Sequence, residues 1–156
     1  MSGKIHSLFF FLVIVFLVLP ASGGSPDISL LDLKGETHTL TEVRAGKPAV
    51  LVFWATWCGH CRREIPKIQE AWRKYGQAGI AFLAINPGVR DSPASVQRYV
   101  EKYSLSYPVY FDPHQLSRSA FGLRGTPTII LLDGTGKEIS RSESIDLKAI
   151  AALLKQ

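Results

Sequence analysis

Cysteine is almost absent from this chain: its 156 residues hold two, Cys58 and Cys61, separated by two residues. So few cysteines exclude a disulfide-stapled scaffold, and a ring this short removes little chain entropy from the unfolded state. Reactivity is the better reason for the pair. No cysteine stands near Ala21, which excludes lipid attachment of the lipoprotein kind. Basic runs are lacking too. The net charge is +5, yet lysine and arginine are scattered among acids, with local pairs only at Arg62/Arg63 and Arg73/Lys74. A surface that tracks phosphates needs a clustered stripe, so no nucleic-acid partner is expected.

Cofactor signals are missing as well. No nicotinamide or flavin fingerprint occurs. Arg62, not histidine, follows the second cysteine, which excludes a haem-attachment site. Beyond the leading segment, histidine is limited to His38, His60 and His114, and no second close ligand pair completes a structural zinc site. No cofactor and no metal are expected. One non-enzymatic alternative stays open: two thiolates with a distant His38 or His114 could carry Cu(I), because soft sulfur ligands suit that ion.

Long hydrophobic runs are scarce. The stretch from Leu8 to Leu19 is 12 residues, short of the roughly 20 that an α-helix needs to cross a bilayer. Lys4 and His6 precede it, and Pro20, Ala21, Ser22 and Gly23 follow, the order of a secretory signal. Residues 1–23 therefore read as a signal peptide, or as an N-terminal anchor through residues 8–19 if retained. Residues 24–156 are enough for one domain with a proper core and too few for two. An exported protein, periplasmic or otherwise extracytoplasmic, is expected.

What is present alternates between strand and helix patterns. Ile28 to Leu40 reads as two short strands around Lys34-Gly35, and Thr41 to Ala45 as one helical turn. Ala49 to Ala55 is a continuous apolar run, the mark of a central strand covered on both faces. From Gly59 to Tyr75 the period becomes helical, with Cys61, Ile65, Ile68, Trp72 and Tyr75 on the buried stripe and Pro66 expected to kink the axis. A strand at Ile80–Ile85, a helix from Ser92 to Tyr103 capped by Ser92, a strand at Tyr107–Phe111 and a short helix at His114–Phe121 follow. Thr128–Leu132 and Glu138–Arg141 form a hairpin, and Asp146 caps a last helix to Leu154. This is an α/β sandwich with a mixed sheet, parallel where helices cross over and antiparallel at the last hairpin.

The cysteines then sit where the central strand hands over to a helix. A helix amino end offers unpaired N–H groups and partial positive charge, which stabilise a thiolate at Cys58. Cys61 is one turn on, in register with the buried stripe. Cys58 is thus expected to be the exposed attacking thiol and Cys61 the shielded resolving thiol. His60, if protonated, would favour the Cys58 thiolate further. Glu64 lies three residues beyond Cys61 on the same helix side and is a candidate proton acceptor for it, directly or through water.

The segment FWATWCGHCRREIP, Phe53 to Pro66, with Gly125-Thr126-Pro127 before the strand TIILL, resembles the thioredoxin superfamily and its exported TlpA/ResA-type branch. The resemblance covers nearly everything after Ser25. It implies a thioredoxin-like three-layer sandwich with an N-terminal β-hairpin and a central helix-strand insertion. It also implies a cis bond before Pro127, and Trp57, Thr126 and Pro127 as the surface that meets an extended substrate peptide. Glu64 takes the place of the branch's helix glutamate. The implied activity is protein-disulfide reduction by a monomer. Disulfides of exported proteins such as apocytochromes c are the implied substrates, and a membrane thiol-disulfide protein the implied donor. Two features depart from thioredoxin's pattern. Val52 stands where thioredoxin keeps a buried aspartate. Gly59-His60 resembles the dipeptide of protein disulfide isomerase, which leaves an oxidase or isomerase as the alternative. Peroxiredoxins have Thr-x-x-Cys, and Thr56 is only two residues before Cys58.

Overall fold

The computed structural model describes residues 24–155; the expected signal segment lies outside the described residues. Among the described residues, no helix is long and apolar enough to cross a membrane.

The architecture follows from one strand. β3 (Ala49–Phe53) is buried at all five positions, so both of its faces must be covered. It pairs in parallel with β4 (Ala81–Asn86) and antiparallel with β6 (Thr128–Leu132). β5 (Val109–Phe111) extends the parallel side, and β7 (Glu138–Ser142) the antiparallel side. The hairpin β1 (Ser29–Leu31) and β2 (Thr37–Thr39) adds to β5, giving the sheet order β2-β1-β5-β4-β3-β6-β7.

Helices cover both faces, and the pleat of β3 divides the core between them. Val50 and Val52 pack with residues of α2 (Gly59–Tyr75), α3 (Pro93–Lys102) and α5 (Leu147–Ala152). Ala49, Leu51 and Phe53 point the other way, toward Leu40 of α1 (Leu40–Arg44) and Phe121 just after α4 (Leu116–Ala120). The three-layer sandwich is as expected. So are the leading hairpin and the helix-strand insertion made by α3 and β5.

α2 follows the expected span and continues on both sides of Pro66. Its buried stripe is rotated from the expected one, however: Cys61, Glu64, Ile68, Ala71 and Tyr75 are buried, whereas Ile65 and Trp72 are half-buried at its border. A carboxylate can hold a core position when each of its oxygens is paired, and the Glu64 oxygens are.

A second buried charge joins sequence-distant parts. Arg44 is 8% exposed and its guanidinium donates to the carbonyls of Lys47, Asp133 and Gly134. It thereby ties α1 to the turn between β6 and β7. Arg44→Ala removes the donor of three carbonyls at once and is expected to lower unfolding free energy by about 2–3 kcal/mol. Urea unfolding of the two proteins measures this, and an unchanged midpoint would refute the assigned role.

Candidate functional site

The site begins where β3 ends. Trp54 N–H still bonds to Ile85 C=O at 3.1 Å, and after Ala55 the chain turns into α2 with Cys58 as its N-cap. Cys58 Sγ accepts the Cys61 N–H at 3.0 Å, the place a serine or aspartate oxygen takes in an ordinary cap. Cys58 and Cys61 are disulfide-bonded, with Cα atoms 5.3 Å apart. When the bond opens, the same N–H groups and the positive helix end face whichever sulfur carries charge, and Cys58 is the nearer.

The contrast in exposure expected of the two sulfurs is not present in this state: Cys58 is 7% exposed and Cys61 4%. The reason is the Thr126 backbone, whose carbonyl oxygen lies 3.4 Å from Cys58 Sγ. A disulfide sulfur carries no hydrogen, so this is a contact and not a hydrogen bond. The asymmetry lies instead in surroundings. Cys58 meets the surface loop Gly125–Pro127, whereas Cys61 faces the core beside Val52, Glu64 and Pro127. The Thr126–Pro127 peptide bond is cis, as expected.

The loop separates two grooves. One, of about 580 Å³, runs along Gly125–Thr128 to Arg141 and Glu143. The other, of about 150 Å³, lies between Trp57, Val89, Leu123 and Thr126. Trp57 is exposed, fixed by an Nε1–H bond to Val89 C=O at 2.9 Å. The structure thus brings Trp57, Cys58, Thr126 and Pro127 together at one surface.

Glu64 is 4% exposed and sits behind Cys61. It accepts from Lys67 Nζ at 2.9 Å, Ser144 Oγ at 2.9 Å and the Ile145 N–H at 3.0 Å. Burial pushes its carboxyl up, but the Ile145, Lys67 and Ser144 hydrogen bonds and the lysine charge outweigh that and hold it below its ordinary value. A cavity of about 10 Å³, near the volume one water needs, lies between Cys61 and Glu64 and reaches Trp54 and Tyr99. Trp54 Nε1 and Tyr99 OH are buried there without a hydrogen-bond partner among the described residues. Burial pushes the Tyr99 phenol up, so it stays a neutral donor.

Other candidates are not gathered in. His60 is half-buried at the second position of α2 and makes no hydrogen bond among the described residues. His38 is on β2, four strands from β3 and so about 19 Å away at the usual strand spacing. It lies 3.4 Å from Asp32 instead. His114 is exposed on the loop before α4. Among the described residues, the one group of three candidate metal ligands is Asp32, Glu36 and His38, which does not include the sulfurs.

One important residue was not legible in the sequence. The Asp91 carboxylate accepts the Thr56 N–H at 2.9 Å, the Thr56 hydroxyl, Asn86 Nδ2 at 2.8 Å and Ser95 Oγ at 3.2 Å. It binds the approach to Cys58 to the start of the insertion, although in the sequence it is just the residue before a helix cap.

A seven-stranded mixed sheet, a helix-capping Cys-x-x-Cys disulfide and a cis-proline loop against its first sulfur define a thioredoxin-fold domain with a disulfide-bonded cysteine pair at the head of a helix. By sequence the chain belongs to the AhpC/TSA family, which matches residues 24–139. It is 37% identical over 113 residues to thiol-disulfide oxidoreductase ResA of Geobacillus thermodenitrificans, covering 72% of this chain and 63% of that protein. With the ResA of Halalkalibacterium halodurans it shares 36% identity over 108 residues, 69% of this chain and 60% of the other. The alignment thus spans less than two thirds of these relatives' length. Among solved structures, a Chlorobium tepidum protein assigned as thiol:disulfide interchange protein DsbE superposes with a TM-score of 0.70 at 26% identity, over 85% of this chain and 91% of that one. The thioredoxin domain of a Bacteroides vulgatus thiol-disulfide oxidoreductase gives 0.74 at 20% identity, over 84% and 95%, a likeness of fold alone.

The Glu64 carboxyl carries a stability signature in acid. Its value is lowered on folding, so its contribution is complete above the ordinary carboxyl value of about 4.3 and is lost as pH falls through the lower folded value. Glu64→Gln is expected to be less stable by about 1–2 kcal/mol at pH 7, with the gap closing below about pH 4. Urea midpoints across that range decide it; a gap that does not change with pH would refute the reading.

Proposed function

We propose that this protein is an exported protein-disulfide reductase, with residues 1–23 as its export segment and residues 24–156 as the working domain. The observation that carries the reading is the Cys58–Cys61 disulfide at the head of α2, with Cys58 Sγ against the Thr126 backbone between two grooves. An extended substrate can align along Gly125–Thr126 by strand addition and present its own disulfide to Cys58.

In the reduced enzyme, the Cys58 thiolate attacks one sulfur of the substrate disulfide, and the other leaves as a thiolate that takes a proton. Cys61 then gives its proton toward Glu64 through the small cavity and attacks Cys58 Sγ. The mixed disulfide breaks, the second substrate thiol is released, and the Cys58–Cys61 disulfide forms. Two electrons pass from enzyme to substrate; of the two protons the substrate thiols take up, one is the proton Cys61 released and the other comes from solvent, which had received it when the Cys58 thiolate formed. A membrane thiol-disulfide donor restores the dithiol, and apocytochromes c are among the exported substrates. Trp57, Thr126 and Pro127 bind; His60 adds to the field at Cys58. Peroxide chemistry finds less support, because Thr56 stands two residues before Cys58, not three, and its hydroxyl donates to Asp91.

Three measurements test this. The wild-type protein should reduce insulin disulfides with a thiol donor. A redox titration should give a potential below that of protein disulfide isomerase, about −180 mV; a value at or above it would make the enzyme an oxidase or isomerase. Cys61→Ser should accumulate partners on Cys58 as mixed disulfides that thiol reductant releases. Accumulation in Cys58→Ser and not in Cys61→Ser would reverse the two roles.

A further inference from the structure

The groove on the Trp57 side of the cis-proline loop carries more charge than thiol exchange needs. Its floor is apolar, made by Ala55, Pro87, Val89 and Leu123. Arg118 and Arg124 line it, and Arg90 Cζ sits 5.2 Å from the centre of the Trp57 ring at its rim. All three arginines are exposed, and among the described residues none of them forms a salt bridge.

The acids of the same loops do not neutralise this rim. Asp91 is turned inward onto Thr56, Asn86 and Ser95. Asp112 is fully buried and accepts the N–H groups of His114 and Ser117. In the neighbouring groove Arg141 is already paired with Glu138 at 2.7 Å; Arg124 lines both grooves, and Arg118 and Arg90 add unpaired cations on the Trp57 side alone. Arg90 is also held in the left-handed region at φ 58°, a conformation unfavourable for a non-glycine residue. Such strain persists where the surroundings require it, and here it places a guanidinium over the tryptophan.

We infer that this groove takes a segment of the substrate protein in which an acidic residue stands beside an apolar one, within a few residues of the cysteine that meets Cys58. The apolar side chain enters between Val89 and Leu123, and the carboxylate is shared by Arg118 and Arg124, for which guanidinium forks are well shaped. The inference rests on the reading that the substrate is a protein disulfide. Its test needs no turnover.

The test uses the oxidised wild-type protein and fluorescently labelled peptides in which serine replaces cysteine, so that no exchange can occur. An acidic-apolar peptide is expected to bind about ten-fold more tightly than its lysine-apolar counterpart at low salt, with the ratio shrinking as salt rises. The double variant R118E/R124E should invert the preference. R73E/K74E makes the same change in net charge far along α2, about 20 Å from its N-terminus, and should keep it. Equal affinity for both peptides in the wild type would overturn the inference, as would an unchanged preference in R118E/R124E. Failure of insulin reduction would sink the reductase reading alone, because peptide binding is read on the disulfide form.

Discussion

Everything at this site depends on where β3 delivers the chain. A strand buried on both faces has few places to sit, and the centre of the sheet, between β4 and β6, is the one that covers it. Its carboxyl end therefore opens at the edge of the sheet's core, and the helix that must follow starts there with unpaired N–H groups. Cys58 satisfies one of them through sulfur, by the 3.0 Å contact from the Cys61 N–H. The site is thus an outcome of helix capping, done with sulfur in place of oxygen.

Two further sets of bonds keep that junction in place. On one side Asp91 collects donors from Thr56, Asn86 and Ser95, which fixes the loop before the sulfurs to the insertion. On the other side Glu64 takes donors from Ser144 and Ile145, which fixes the first turns of α2 to the segment before α5. Each carboxylate is hydrogen-bonded at both oxygens, Glu64 buried and Asp91 half-buried, and each joins parts of the chain far apart in sequence. The pair of cysteines is held from both flanks by these two carboxylates.

Much of this was legible in the sequence, because the signals were local. The five-residue apolar run of β3, the Ser92-Pro93 cap and the Asp146 cap mark their elements through short-range chemistry. The Cys-x-x-Cys spacing and Gly125-Thr126-Pro127 carried the site through resemblance. What was missed lies in long-range pairing. The stripe of α2 was read from apolar residues alone, and Glu64 occupies a buried position only because Ser144, Ile145 and Lys67 satisfy it. The burial of Cys58 has the same origin, since the Thr126 backbone that covers it comes from 68 residues away. Asp91 gave no signal, because a carboxylate ahead of a capped helix is ordinary until its partners are known.

The sheet order also bears on how the domain comes into being. The hairpin β1–β2 attaches to the sheet through β5, with Leu31 opposite Phe111, and not through β3, which follows it in the chain. As the polypeptide emerges amino end first, this hairpin has no edge to join until the whole insertion has been made and has docked. A pairing of such sequence separation closes late, after the loop entropy of the intervening chain has been spent on β3, β4 and α2. The earliest segment of the domain is therefore among the last to be seated, and until then it is an open strand pair that must be kept from pairing with other chains.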